Sequence, residues 1–428
     1  MQLPENHPLR QELHNEVHAR PPVPLRIPSR LSFLALLSES ANIPAEREHL
    51  AALCARYGAP PPQASANYYL GDLGAFRLKS ERHAEFTRYT VITEGAPDDP
   101  FSDAPINLLP PEWIAGLKGR TLVSATVAVL PFPENLDYGE LSRRHFSGNT
   151  LIGSTVGQGA AVALTDLRIQ DDGSSRLLIY DNHLTQRQAG RMVQRLLEID
   201  TYRMMALLAL PVAQGLNPFL AASERELAEI TTLMHDGPRE EPALLERLTK
   251  LQAAIESRYA DHHYRFSAAA AYYELVQRRI DELREQRLQG LQTIREVMER
   301  RLAPAMNTCK NVSESIEALS ERVARSTNLL STRVGMVRER QNQELLEGMA
   351  RRARLQLRLQ QTVEGLSVAA ISYYVVGLVG YAAKALKSGG LALEPDLAMG
   401  IAVPVVVALT ALGMRRVRKG LHENGDES

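Results

Sequence analysis

The sequence predicts an α+β protein with an N-terminal domain on a mixed or antiparallel sheet, a long helical stalk, and a C-terminal two-helix transmembrane hairpin. Three observations predict it. Short apolar, β-branched runs separated by turn residues cluster between residues 30 and 215. From about Pro242 to Glu364 the composition shifts to Leu, Ala, Glu, Arg and Gln. Two apolar stretches follow, Leu366–Leu386 with Lys384 as its one charge and Leu397–Met414 with none.

In the first part, Leu31–Leu37 and Arg120–Leu130 read as buried strands, and Ala75–Glu94 holds two more. Thr150–Val156, Ala160–Gln170 and Ser175–Asp181 read as a meander with Asp171-Asp172-Gly173 as a hairpin turn. Pro44–Tyr57 is an amphipathic helix with proline in its first turn, and a longer helix runs from Gln186 to Leu210, ending at Pro211. The expected domains are a polar segment over 1–29, an α+β cytoplasmic domain over 30–215, a coiled-coil-like stalk over 216–365, the hairpin over 366–414 and a basic cytoplasmic tail over 415–428.

In the stalk, Val312, Ile316, Leu319, Val323, Leu330 and Val337 form a heptad-like seam. Such a stripe must be covered, which predicts a homo-oligomer through the stalk and spans. Pro304 breaks the helical pattern, so Arg301–Ala305 reads as a kink or the turn of an antiparallel pair, with the turn preferred. Arginines 278, 279, 284 and 287 alternate with Asp281, Glu282 and Glu285, which describes a solvated, ion-paired face.

Totals exclude several classes. A net charge of −1 gives no reason to expect a nucleic-acid partner. Cys54 and Cys309 are too few and too distant for a disulfide framework and suit a reducing compartment. Met1–Pro28 lacks the apolar run of a secretory signal, so membrane targeting is assigned to the C-terminus. Arg351, Arg352, Arg354 and Arg358 before the first span, and Arg415, Arg416, Arg418 and Lys419 after the second, predict both termini in the cytoplasm and the turn outside. The lipid bilayer is the expected partner, the inner membrane the expected location.

Candidate chemistry is sparse. His14 and His18 share one helical face and can hold a metal, with His7 nearby. In a zincin the glutamate follows the first histidine directly, whereas Glu16 comes one place later. His262 and His263 are adjacent in a helix and point apart, and His183 has no accompanying nucleophile motif. Glycines 148, 153, 157 and 159 lack a following Gly-Lys-Ser/Thr, which favours sheet turns over a phosphate loop. No cofactor is expected, and no stretch of the sequence specifies an enzymatic reaction.

Several phrases together resemble bacterial domain-of-unknown-function family 3422. They are His7-Pro8-Leu9-Arg10 with His14 to Pro22, Arg195 to Arg203, Tyr264 to Ala268, and Gln361 to Ser367. The resemblance covers nearly the whole chain and implies a membrane-anchored protein; it supplies no activity or site residues. The plan also looks like CorA-type magnesium channels, but the Gly-Met-Asn signature is absent from the end of the first span, which reads Val379-Gly380-Tyr381. The leading expectation is a self-associating cytoplasmic interaction or regulatory platform anchored in the inner membrane. The alternatives are a CorA-like ion channel or transporter and a membrane-tethered metal-dependent enzyme.

Overall fold

The structure is a computed structural model that describes residues 5–10, 14, 21–63, 66–235, 241–389 and 394–423. It divides into two compact units, Met1–Thr327 and Asn328–Ser428.

The first unit is built on a mixed nine-stranded sheet. At its centre β1 (Ser29–Leu37) lies antiparallel to both β4 (Phe86–Glu94) and β5 (Arg120–Pro131). Beyond β4 come β3 (Arg77–Arg82) and the edge strand β2 (Tyr68–Asp72). Beyond β5, β8 (Ser175–Asp181) pairs in parallel, followed by β7 (Ala161–Ile169), β6 (Ile152–Val156) and the two-residue β9 (Gln286–Arg287). The meander, the buried strands and the pair within Ala75–Glu94 stand as the pattern predicted. The short edges β2 and β9 were not anticipated.

Side chains alternate across a strand, so register assigns the two faces. Leu31 opposite Ile92, and Ala35 opposite Arg88, share one face with Lys79 and Glu81. Leu36, Leu78, Tyr89 and Val91 point the other way and pack with Leu50 and Leu53 of α1 (Ile43–Arg56) and Trp113 of α2 (Pro111–Ala115). On that same second face Ala128, Val162, Leu164 and Leu178 enclose Phe146, which directly follows α3 (Tyr138–His145).

The first face is covered by α4 (Gln186–Leu207), which opens on a reciprocal capping box between Thr185 and Gln188. The chain at Val23 crosses α4 at Gly190 so closely that a Cβ there would stand 1.9 Å from the Val23 carbonyl oxygen, so only glycine fits. The helix expected to end at Pro211 instead breaks at Leu208. A second helix, α5 (Ala209–His235), begins at once, and Pro211 sits in its first turn, where a missing N–H costs nothing.

The turn expected at Arg301–Ala305 is also corrected. The chain reverses earlier, between the end of α6 (Glu241–Leu283) and α7 (Ile294–Val297), whose start is a Thr293–Glu296 capping box. From there the helix runs on through a π turn, Met298–Leu302, into α8 (Ala303–Ser388). The π turn loosens the ladder just where Pro304 lacks a donor and crowds the preceding turn, so the proline is accommodated without a chain reversal.

Within the first unit α5, α6 and the start of α8 bury facing stripes. Leu220, Leu227 and Ile230 lie on α5, Leu244, Leu248 and Ile255 on α6, and Met306, Val312, Ile316, Leu319 and Val323 on α8. Arg247 bonds Glu226 and Glu229 across α5 and α6, and Ser320 bonds Glu256 across α6 and α8. The seam expected to join separate subunits is therefore filled, from Val312 to Val323, by the chain's own helices. Val337 remains 43% exposed.

In the second unit the distal part of α8 pairs with α9 (Pro395–Glu423). Ser372 and Thr410 hydroxyls meet at 2.9 Å, and Gly380 lies so close to Met399 that a Cβ would stand 2.6 Å from its sulfur. Small residues thus bring the two helices together, as in lipid-embedded pairs.

Candidate functional site

Charged residues occur where the sheet pattern asks for apolar ones. Lys79, Glu81 and Arg88 lie on the face beneath α4, and all are buried, as is Glu198 of α4 itself. Buried charges persist only when paired, and these form a continuous chain. Glu81 forms ion pairs with Lys79 and Arg88, each at 3.0 Å. Arg88 lies 3.7 Å from Glu198, which also takes Arg279 Nε at 2.5 Å and Gln194 Nε2 at 2.9 Å. Arg279 continues to Glu282 at 2.9 Å, and Glu282 accepts Arg195 Nε at 3.0 Å.

This chain sets the local proton affinities. Burial pulls the Lys79 ammonium below its ordinary value, with Glu81 only partly compensating. Burial also opposes the charge on Arg279, but Glu198 and Glu282 outweigh it and hold the guanidinium above its usual value. The neighbouring Tyr68 hydroxyl is pushed up to about 12 by burial and by the Glu81 charge. No nucleophile stands beside a base along this chain. It fixes α4 and α6 to the sheet.

At its outer end the chain opens on a polar cleft of about 300 Å³. Arg195 and Glu282 form one wall, with Arg191, Gln188 and Met192 of α4 beside them, Arg284 after α6, and Gly157, Gln158 and Ala160 from the turn between β6 and β7. The Gly157 N–H donates to the Leu283 carbonyl at 2.7 Å, which ties that turn to the end of α6. Gln158 and Arg284 adopt φ of 62° and 51°, a left-handed conformation uncommon for residues with a side chain.

The residues singled out from sequence are dispersed. His14 is described and exposed, but His18 lies outside the described residues. Among the described residues no group of three or more His, Cys, Asp or Glu is arranged to hold a metal. His263 packs on the Tyr259 ring at 4.8 Å, and His183 sits on an exposed turn after β8, its backbone bonded to Ala160. Gly153 is pressed against Leu164 within the sheet, while Gly157 and Gly159 form the β6–β7 turn at φ of 62° and 89°. The sequence reading noted those glycines without the arginines that face them. The signal available was Arg191 and Arg195 at helical i, i+4 spacing, two turns into a helix whose start was legible.

Three helical stretches are long and apolar enough to cross a membrane, where two were expected: Gln186–His235, Ile294–Ser388 and Pro395–Met414. The first packs against the sheet, with Met205, Ala206, Ala209 and Ala213 fully enclosed. The other two present their apolar residues outward. Leu366, Tyr373 and Tyr381 of α8 are 74%, 78% and 76% exposed, and Leu397 and Leu409 of α9 are 67% and 63% exposed.

One of the motifs behind the family resemblance, Arg195 to Arg203, supplies Arg195 and Glu198 to the buried charge chain, and a second supplies Arg265, paired with Glu85, and the buried Phe266. Neither the curated proteins nor the solved structures contain a match to this chain. The family described as Protein of unknown function (DUF3422) matches residues 5–421, nearly the whole chain, and the protein belongs to that family.

Proposed function

We propose that the protein is an inner-membrane anchored platform. The hairpin formed by the distal part of α8 and by α9 lies in the bilayer, and the sheet-bearing unit works in the cytoplasm as a self-associating interaction or regulatory module. The observation that carries this reading is the outward-facing apolar surface of residues 366–389 and 394–414, which water would not tolerate on this scale. Gln186–His235 is left out of the bilayer because it already carries Glu198 in the buried charge chain and packs on the sheet. Self-association is assigned to the stretch of α8 beyond Thr327, where Leu345, Leu346, Met349 and Leu355 remain exposed. Covering them is worth about 25 cal/mol per Å² of apolar surface, and closed homo-oligomers are the usual solution. The test is membrane fractionation of the full chain. Retention in the membrane pellet after alkaline carbonate washing supports the reading, and release into the supernatant refutes it.

A further inference from the structure

We propose that the cleft between α4, the end of α6 and the β6–β7 turn binds a phosphate-bearing anion. The argument rests on unpaired positive charge gathered around one open cleft, since Arg191 and Arg284 are both exposed. Of the three arginines lining the cleft, Arg195 is committed to Glu282, while the guanidinium groups of Arg191 and Arg284 have no hydrogen-bond or ion-pair partner among the described residues. The acids nearby are already engaged. Glu282 takes Arg279 as well as Arg195, Asp281 takes Arg295, and Glu285 accepts Ser154 Oγ and the amides of Ile294 and Arg295. Two guanidinium groups are left facing about 300 Å³ of polar space, a volume at the lower end of small-molecule sites.

Two further features favour an anion. The first turns of α4 line the cleft, so its positive dipole end contributes. The opposing carbonyl end of α6 is blunted where Leu283 accepts the Gly157 N–H. Moreover, Gln158 and Arg284, both held at positive φ, line this same cleft. Such conformations cost free energy and persist where the surroundings impose them, typically at ligand sites. Phosphate fits best because its two negative charges and several acceptor oxygens match two planar, multi-donor guanidinium groups.

The experiment is calorimetric titration of the full chain in mild detergent with inorganic pyrophosphate and, separately, with dihexanoyl phosphatidic acid. Arg191→Ala and Arg284→Gly should each weaken binding roughly tenfold or more, as expected for loss of a charged hydrogen bond. Arg187→Ala, on the same helix outside the cleft, should not. Glycine relieves the positive φ at 284, so Arg284→Gly should melt no lower than the parent, which separates lost binding from lost folding. Tighter binding of pyrophosphate assigns a soluble phosphate compound, and tighter binding of the lipid assigns a headgroup. Absence of binding for both probes, or unchanged binding in the Arg191→Ala/Arg284→Gly double variant, overturns the proposal.

Discussion

The guanidinium of Arg265, on α6, grips the Glu85 carboxylate at the β3–β4 turn through two bonds of 2.9 and 3.1 Å. Both side chains are mostly buried, at 19% and 16% exposure, so this clamp joins the helical layer to the sheet in a setting where water screens little. Beside it Tyr272 reaches Phe86 and stacks on Tyr202 of α4 at 5.8 Å. Helix α6 is thereby held to the sheet through Arg265 and to α4 through Arg279 and Glu198.

Removing one partner of the clamp strands the other. Arg265→Ala should destabilise the first unit by about 2–3 kcal/mol, and Arg265→Lys by nearly as much, because a single ammonium cannot replace the paired bonds. A double-mutant cycle with Glu85→Ala, read by thermal unfolding in detergent, should give a coupling above about 1 kcal/mol. Independent, additive effects would mean the two side chains do not interact in solution.

Glu198 has a larger stake, since Arg88, Arg279 and Gln194 converge on it. Glu198→Ala removes the acid that Arg88 and Arg279 share, leaving them only Glu81 and Glu282 respectively, and should cost about 3 kcal/mol. Glu198→Gln keeps the shape but not the charge and should fall between. A tolerant Glu198→Ala variant would show that water enters this layer freely.

Tyr68 gives a pH dependence. Its hydroxyl is buried without a hydrogen-bond partner and sits beside Lys79, whose ammonium lies 5.7 Å from the ring centroid. Because the folded state holds the tyrosine proton to about 12 against an ordinary value of 10.0, the folded form binds more protons than the unfolded one in that window. Stability is therefore full below pH 10 and declines as pH rises toward 12. Tyr68→Phe should be within about 1 kcal/mol of neutral at pH 8, since it removes an unsatisfied group, and should flatten the alkaline decline. Unfolding curves at pH 8 and pH 11 decide it; an unchanged alkaline slope contradicts the assignment.

The stalk separates folding from assembly. Leu319→Ala empties a site that is 1% exposed and should cost about 2–5 kcal/mol while leaving the mass in detergent unchanged. Leu345→Ser with Leu346→Ser, both about two-thirds exposed at 66% and 64%, should leave stability nearly intact and lower that mass. Light scattering beside thermal unfolding distinguishes the two; a lowered mass for Leu319→Ala alone would restore the seam as an intermolecular contact.

Much of this fold was legible because burial and period agree in it. The runs at Leu31–Leu37 and Arg120–Leu130 are apolar on both faces, as strands covered by helices must be. Where burial is reached by charge, the pattern misleads: Lys79, Glu81 and Arg88 look like solvent positions and are core. Polar residues also hid the reversal at 284–293, which continues a helix-forming composition. Its signature was present in Gly290 and in the spacing of Thr293 and Glu296, a capping box that places a helix start at Ile294. Proline drew the boundary too strongly. Pro211 and Pro304 both fall in positions where a helix accepts them, one in a first turn and one after a π turn. The cleft was least legible, because Arg191, Gln158 and Arg284 come from three separate segments that only the tertiary fold assembles.

The most direct test of the membrane reading is the sidedness of two reporter fusions, one inserted within the turn between α8 and α9 after Ser388 and one placed after Gly420. The arginines flanking the hairpin predict that a periplasm-dependent phosphatase is active at the turn and silent after Gly420, with a cytoplasm-dependent fluorescent reporter giving the reverse. Both reporters on the same side of the membrane would contradict a spanning hairpin.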